Sequence, residues 1–491
     1  MTGEELLEQI RTRGRFTFKS ELLLIVKLAT PSIFAQLSTI MMFYIDAAMV
    51  GSLGAKASAS VGLMSSSLWV LGGLCAANAM GFAVQVAQLI GASDYAGARR
   101  VMRQSYAVTL GGAFTLGFIA VIISPHLPYW LGGDEEICHD AFLYFCPLAA
   151  CLPFMQLNFL SGAMLRCSGN MKVPSLLNIM MCVLDVIFNF LFIFPTRELS
   201  LGGFSFTMPG LGLGVMGAAF GTVAAELCTC SAMTYCAAFR SKLLNLRQDS
   251  STFIPKANIV RRAFKISLPM AGQHLAISLA QIVTTIIVAP LGIAAIAAHS
   301  FAITIESLCY MPGNGLSEAA TTLVGQSIGA KRPKLTLSFA RICVGLGMVV
   351  MGLGGVVMYV FSPYLMLLMT PDLQVQKLTV DVLRIEAFAE PLFGASIVAY
   401  GVFVGAGDTL MPSVMNFFSM WAIRLTTAYM LAPHYGLYGV WIAMAVELSL
   451  RGTMFLVRLL RSRWLTKHDF SRDTPPEDAA GEAGTERTQA T

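Results

Sequence analysis

The sequence predicts an all-α polytopic membrane protein, with twelve transmembrane helices in two parallel six-helix repeats. Three observations carry that prediction. Only 12% of the residues are charged against 56% hydrophobic, where a soluble domain carries about 25% charged residues. The apolar runs are long and unbroken, as from Ile342 to Phe361, which rules out the alternating segments of about 10 residues that a transmembrane β-barrel needs. The chain also matches itself at a constant offset of 238 residues.

A helix crosses the hydrocarbon core with about 20 apolar residues. Spans are read at roughly 21–50, 57–90, 100–125, 138–165, 173–195, 212–239, 258–290, 295–329, 336–362, 376–404, 411–433 and 436–462. Positive charge falls on alternate loops. Arg99, Arg100 and Arg103 follow span 2, and Arg166 and Lys172 separate spans 4 and 5. Arg240, Lys242, Arg247, Lys256, Arg261, Arg262 and Lys265 surround the link between spans 6 and 7. Lys331, Arg332, Lys334 and Arg341 follow span 8, and Arg458, Arg461, Arg463 and Lys467 follow span 12. The opposite loops are poor in Lys and Arg, and one carries Asp134, Glu135 and Glu136. The positive-inside rule places both termini in the cytoplasm, so the expected location is the cell (inner or plasma) membrane. The N-terminus begins polar and shows no signal peptide.

The repeat pairs Lys27 and Pro31 with Lys265 and Pro269, and Leu53-Gly54 with Leu291-Gly292. Gln88, Ile90, Gly91 and Ala92 recur as Gln326, Ile328, Gly329 and Ala330, and Arg103 as Arg341. Pro153, Gly169, Pro174 and Asn178 recur as Pro391, Gly407, Pro412 and Asn416. After span 5 the offset falls to 222, aligning Gly214 and Gly217 with Gly436 and Gly439. The first half therefore carries a Gly-rich insertion near 196–211, whose alternation suits a small hairpin. Six spans per half make the repeats parallel, an architecture typical of secondary transporters, with substrate sites at the repeat interface. The expected organisation is a cytoplasmic N-terminus at 1–20, an N-lobe at 21–240, a linker at 241–257, a C-lobe at 258–467 and a disordered polar tail at 468–491.

An ionised side chain at mid-membrane costs about 2.5–3.5 kcal/mol on the insertion scale, so it marks an interior or functional position. Ser32, Thr39 and Asp46 recur every seven residues and share one face of span 1. Asn178, Asp185 and Asn189 share a face of span 5. Such stripes of carboxylate and amide can hold a proton or Na⁺, or can join helices by hydrogen bonds. Glu386 and Glu390 lie four apart in span 10, and Pro391 interrupts the helix directly after them. Glu306 precedes a break at Pro312-Gly313-Asn314-Gly315, and Arg424 in span 11 is placed to neutralise one of these acids. Glu447 and Arg451 are four apart in span 12 and are expected to pair. Glu226 and His274 are left open between core and site.

Motifs of soluble enzymes are absent or formal. Gly212 to Gly217 spells GxGxxG but opens an apolar span without a βαβ context. No GxxxxGK[ST], HExxH or GxSxG occurs. The eleven cysteines are scattered through apolar runs without a CxxC pair, as buried small hydrophobes are. The basic residues sit at helix ends and not in one patch with aromatics, so nucleic acid is not an expected partner. No cofactor and no obligate protein partner is evident.

Residues 20 to 465 resemble the multidrug and toxic compound extrusion (MATE) family of antiporters. The resemblance rests on Pro31 to Gly54 (PSIFAQLSTIMMFYIDAAMVGSLG), on Gln88 to Ala92 with its copy Gln326 to Ala330, and on Gly405-Ala406-Gly407-Asp408-Thr409 before Pro412. It implies two six-helix lobes around a V-shaped cavity, and export of organic cations and other amphipathic compounds in exchange for H⁺ or Na⁺. In the family, acids on helices 1 and 5 occupy the positions of Asp46 and Asp185, and form the N-lobe cation site of one branch. That branch often has Asn one turn before the helix-5 acid, where this chain has Met181, with Asn178 and Asn189 nearby. Another branch pairs an acid on helix 7 with one on helix 10, but residues 270–290 contain none here. The resemblance therefore implies coupling in the N-lobe and alternating access by rocking of the lobes. The rival expectations are a flippase for lipid-linked saccharides of the same superfamily, an intramembrane enzyme and a channel. The first lacks the extra spans and strongly basic central cavity it would need, and the second lacks a reactive constellation.

Overall fold

A computed structural model describes residues 3–12, 14–201, 204–248 and 252–466. The predicted tail at 468–491 lies outside them. Twelve helical spans follow one another in the predicted order. In the first half they are α1 (Phe18–Gly51), α2 (Ala55–Gly91), α3 (Tyr95–Ile123), α4 (Glu135–Ala150 and Leu152–Cys167), α5 (Lys172–Ile193) and α6 (Gly214–Tyr235). In the second they are α7 (Ala257–Val288), α8 (Ile293–Gly329), α9 (Pro333–Met369), α10 (Leu373–Ala387 and Glu390–Gly405), α11 (Leu410–Phe418, Ser419–Leu425 and Thr426–Tyr435) and α12 (Leu437–Leu460). Nine of these are long and apolar enough to cross a membrane alone, and the two bent pairs raise the number to eleven among the described residues. The remaining one, α11, is divided by a π-helical stretch at Ser419–Leu425.

The bends obey the repeat. Helix α4 turns by 50° ahead of Pro153, and α10 by 61° ahead of Pro391. Proline lacks the N–H that would continue the ladder, so each second segment starts afresh with proline in its first turn. The break expected at Pro312 does not occur, because α8 runs unbroken from Ile293 to Gly329. The neighbouring glycines serve packing instead. A Cβ on Gly315 would stand 2.7 Å from the backbone nitrogen of Ile33, and one on Gly313 would stand 2.6 Å from Met351 Sδ. Helices packed on both sides hold the chain helical through the proline.

The insertion forms an antiparallel hairpin, β1 (Pro195–Leu201) with β2 (Phe204–Leu211), in which Arg197 faces Met208 and Leu201 faces Phe204. A short amphipathic helix, Gly3–Arg11, was not foreseen by hydropathy. It buries Leu6, Leu7 and Ile10 in the core that also holds Trp464 and Leu465, so the first and last described segments lie at one end of the bundle. That end, called the basic end below, also carries the arginine-rich loops. The link between the halves is fastened there: Arg103 donates to Leu246 O, and Lys256 N donates to Gln104 Oε1 at 3.0 Å.

The two halves meet most closely at the basic end, and they do so reciprocally. A Cβ on Gly91 would lie 2.0 Å from Gln326 O, and one on Gly329 would lie 1.9 Å from Gln88 O. Gln88 Nε2 donates to Gly405 O at 3.1 Å, and Gln326 Nε2 donates to Cys167 O at 2.9 Å. Each residue of the second bond is the repeat partner of its counterpart in the first. A pseudo-two-fold axis thus passes between α2 and α8, and only glycine at 91 and 329 permits the backbones to approach so far. The backbone repeats as well: Gly54 and Gly292 have φ of 114° and 103°, and Gly214 and Gly436 have φ of 58° and 59°.

Candidate ion-coupling site

In the first half, α5 crosses α6 at close range, because Gly217 lies against Phe192 O and Gly221 against the side chain of Asn189. This small-xxx-small spacing lets the two backbones touch, and it turns Asn189 toward α1. There the Asn189 amide nitrogen donates to Asp46 Oδ1 and to Asp185 Oδ2, both at 2.9 Å. One neutral amide bridges two carboxyl groups on different helices. Asp185 is wholly buried and Asn189 almost so, whereas Asp46 keeps part of its surface open. Asp185 Oδ1 and Asn189 Oδ1 have no hydrogen-bond partner. Thr222, on the face of α6 beside Gly221, lies next to Asp185. One turn nearer the basic end, Asn158 Nδ2 on α4 donates to Glu226 Oε1 at 2.8 Å.

Of the five residues predicted for this site, three come together: Asp46, Asp185 and Asn189. Thr39 donates to Ala35 O of its own helix at 3.0 Å. Its seven-residue spacing from Asp46 gives the same helix face but places it about 10 Å away along the axis. Asn178 has no described side-chain hydrogen bond and lies two turns from Asp185, toward the basic end. The residues missed were Gly217 and Gly221, and the four-residue glycine spacing was their signal.

The second half is built differently. Glu447 on α12 is wholly buried, and three groups converge on it. Ser419 Oγ donates to its Oε1 at 2.6 Å, Arg424 Nε stands 3.3 Å from Oε2, and Arg451 Nε stands 3.2 Å from Oε1. The predicted Glu447–Arg451 pair is therefore present. Arg424 makes its direct ion pair with Glu447, because the π-helical stretch brings Ser419 and Arg424, five apart, onto that carboxylate, and its charge still lies within electrostatic reach of Glu306 and Glu386. Glu386 and Glu390 flank the bend of α10 and are fully buried; none of their four carboxyl oxygens meets a hydrogen-bond donor at normal geometry, and Cys309 lies beside Glu390. Glu306 lies in the same region, 7% exposed.

A third polar cluster joins the halves. Glu318 on α8 accepts from Ser32 Oγ and, at 3.3 Å, from Gln36 Nε2 on α1, and it stands 3.6 Å from Arg166 Nε on α4. Sequence reading overlooked Glu318, although Ser32 on the polar stripe of α1 was half of its signal.

Among the described residues no group of three or more His, Cys, Asp or Glu is arranged to hold a metal ion. A family model described as MatE matches residues 31–191 and 269–430, two segments whose starts differ by the repeat offset. A protein described as a probable multidrug resistance protein NorM from Thermotoga maritima is 26% identical over 92% of this chain and 95% of its own length. A Bacillus subtilis protein described as the uncharacterized transporter YisQ is 26% identical over 86% of this chain and 90% of its own. Among solved structures, a multidrug resistance MATE transporter of the MOP superfamily in an outward-facing conformation superposes with a TM-score of 0.83 at 20% identity, covering 95% of this chain and 98% of its own. A MOP superfamily transporter from Pyrococcus furiosus does so with a TM-score of 0.83 at 21% identity, covering 94% and 98%. The matches extend over both halves, and the chain is a membrane transporter that belongs to the MatE family, the multidrug and toxic compound extrusion proteins.

Proposed function

We infer that this protein exports organic cations or other amphipathic small molecules by antiport with H⁺ or Na⁺, and that Asp46 and Asp185 are the coupling site. The observation that carries this reading is the Asn189 amide bridging two carboxyl groups, one fully buried and one partly open, neither in an ion pair with a basic residue among the described residues. Two carboxylates held together in a low-dielectric interior repel each other and favour uptake of a cation. As the site stands, Asn189 donates to both acids and so steadies their ionised forms, while Asp185 Oδ1, which has no hydrogen-bond partner, is left open to take a proton. For Na⁺ the amide would turn to add its oxygen to the carboxylates, and Asn189 Oδ1 is free to do so. The exposed part of Asp46 gives the ion its way in.

Occupancy then acts on packing. Asp46 lies on α1, which also contacts α8 of the other half through Ser32, Gln36 and Tyr44. Neutralising Asp46 weakens its tie to Asn189 and so changes how α1 is shared between α5 and α8. In alternating access the reciprocal crossing of α2 and α8 parts whenever the transporter opens at its basic end, which the loop charges assign to the cytoplasm.

The test is efflux of a cationic dye from proteoliposomes under an imposed pH or Na⁺ gradient, comparing the wild type with Asp46→Asn. Gradient-driven efflux that disappears in the variant is expected, and the effective gradient names the ion. Unchanged efflux in Asp46→Asn would move the coupling site to Glu386 and Glu390.

A further inference from the structure

At the basic end a groove of about 420 Å³ opens between the first turn of α1 and the first turns of α9. Its walls are Phe18, Leu337 and Ile342, and its polar groups are Lys334, Ser338 and Arg341. The three polar residues follow one another at four- and three-residue spacing on α9, so they line one helical face. Lys334 and Arg341 are exposed, and neither pairs with an acid among the described residues. The nearby acid is Glu21, which is 7% exposed and accepts from Ser338 Oγ behind the groove. The groove therefore stays net positive. The N-terminus of the 37-residue α9 adds the positive end of its dipole. Phe18, the first residue of α1, is 68% exposed and stands beside these charges.

We propose that this groove is a binding site for one anionic phospholipid of the adjacent leaflet, with the headgroup phosphate between Lys334 and Arg341 and an acyl chain against Phe18, Leu337 and Ile342. Two cations above apolar walls match the amphipathic order of a lipid at the membrane surface, and basic pockets between helices hold such headgroups. A soluble phosphate has no use for the apolar walls. Because α1 and α9 belong to different halves, a lipid seated here touches both.

The test is native mass spectrometry of the full chain released from nanodiscs of mixed phosphatidylcholine and phosphatidylglycerol. Wild type is expected to retain phosphatidylglycerol selectively. Lys334→Gln/Arg341→Gln should retain it on the order of 30-fold less, at about tenfold or less per cation removed. Arg100→Gln/Arg261→Gln, which removes the same charge from the same end, should retain it as wild type does. Equal loss in both variants would overturn the site in favour of general surface charge, and competition by glycerol 3-phosphate alone would overturn the lipid assignment. Should the first variant fail to fold, a photoactivatable phosphatidylglycerol on wild type decides. Label concentrated at 334–342 supports the site, and label spread around the bundle overturns it.

Discussion

The two halves share a scaffold but not a chemistry. At the repeat offset Asp46 corresponds to Thr284 and Asp185 to Ile423, while Glu447 corresponds to Ala225. The first half joins two acids through a neutral amide, with no ion pair to either among the described residues. The second half clamps one acid between two arginines and leaves Glu386 and Glu390 outside any direct ion pair among the described residues. A carboxylate already neutralised by arginines has little left to gain from an incoming cation, so Glu447 is a structural post. The amide-bridged pair keeps its appetite for charge. What distinguishes the proposed coupling acids from the scaffold acid is the charge of the neighbour, since Asp185 and Glu447 are equally buried.

The comparison can be broken in graded steps. The largest effect is expected from Glu447→Gln, which leaves Arg424 and Arg451 facing each other in the interior. Removing one partner of a buried pair costs about 3–5 kcal/mol. Thermal unfolding in detergent should show that loss, while Asp185→Asn should leave stability near wild type and abolish gradient-driven transport. An unfolding temperature unchanged in Glu447→Gln would refute the post.

Gly221→Ala comes next. Its counterpart at offset 222 is Ala443, so the change makes the first half resemble the second. The new Cβ would meet Asn189 Oδ1 at 2.0 Å and the Asn189 backbone nitrogen at 2.9 Å. Overpacking of this kind costs about 1–3 kcal/mol. Coupled transport should fall further than stability, because Asn189 is pushed off both acids. Equal losses in transport and in folded fraction would argue that the bridge has no role beyond packing.

The smallest effect sharpens the symmetry. Gln88→Leu and Gln326→Leu each remove the buried hydrogen bond across the seam, about 1 kcal/mol. Gln88 also accepts from Arg262 through its Oε1, whereas Gln326 Oε1 has no partner. Gln88→Leu should therefore be the more destabilising of the two, and the reverse order in thermal melts would count against the assigned amide orientations.

Much of this was legible from the sequence where the signal is local or periodic. Hydropathy marked the spans, and one offset of rare residues marked the repeat. Helical spacing joined Asp185 to Asn189 and Glu447 to Arg451. The same spacing failed for Ser32, Thr39 and Asp46. They share a face of α1, but that helix lies between α5 and α8, so Ser32 reaches Glu318, Thr39 its own backbone and Asp46 the amide bridge. Glu318 meets Ser32 across 286 residues of sequence, a pairing no local pattern encodes. The direct partner of Arg424, Glu447, is not legible in the sequence because a π-helical stretch shifts the register that a 3.6-residue period assumes, although the charge of Arg424 does reach Glu306 and Glu386. Pro312 was read as a break because the glycines beside it look like turn residues when their packing partners are unseen.

The reciprocal glutamine bonds have a consequence for how such a chain could arise. A single six-helix segment meeting its own copy would place each Gln88 against the other's residue 167, and each Gly91 against the other's Gln88, so the seam is that of a homodimer written twice. Two identical subunits, however, would carry the amide-bridged acids on both sides or on neither. One continuous chain lets each copy carry its own polar residues, which is how a single seam can join an amide-bridged acid pair on one side to an arginine-clamped acid on the other.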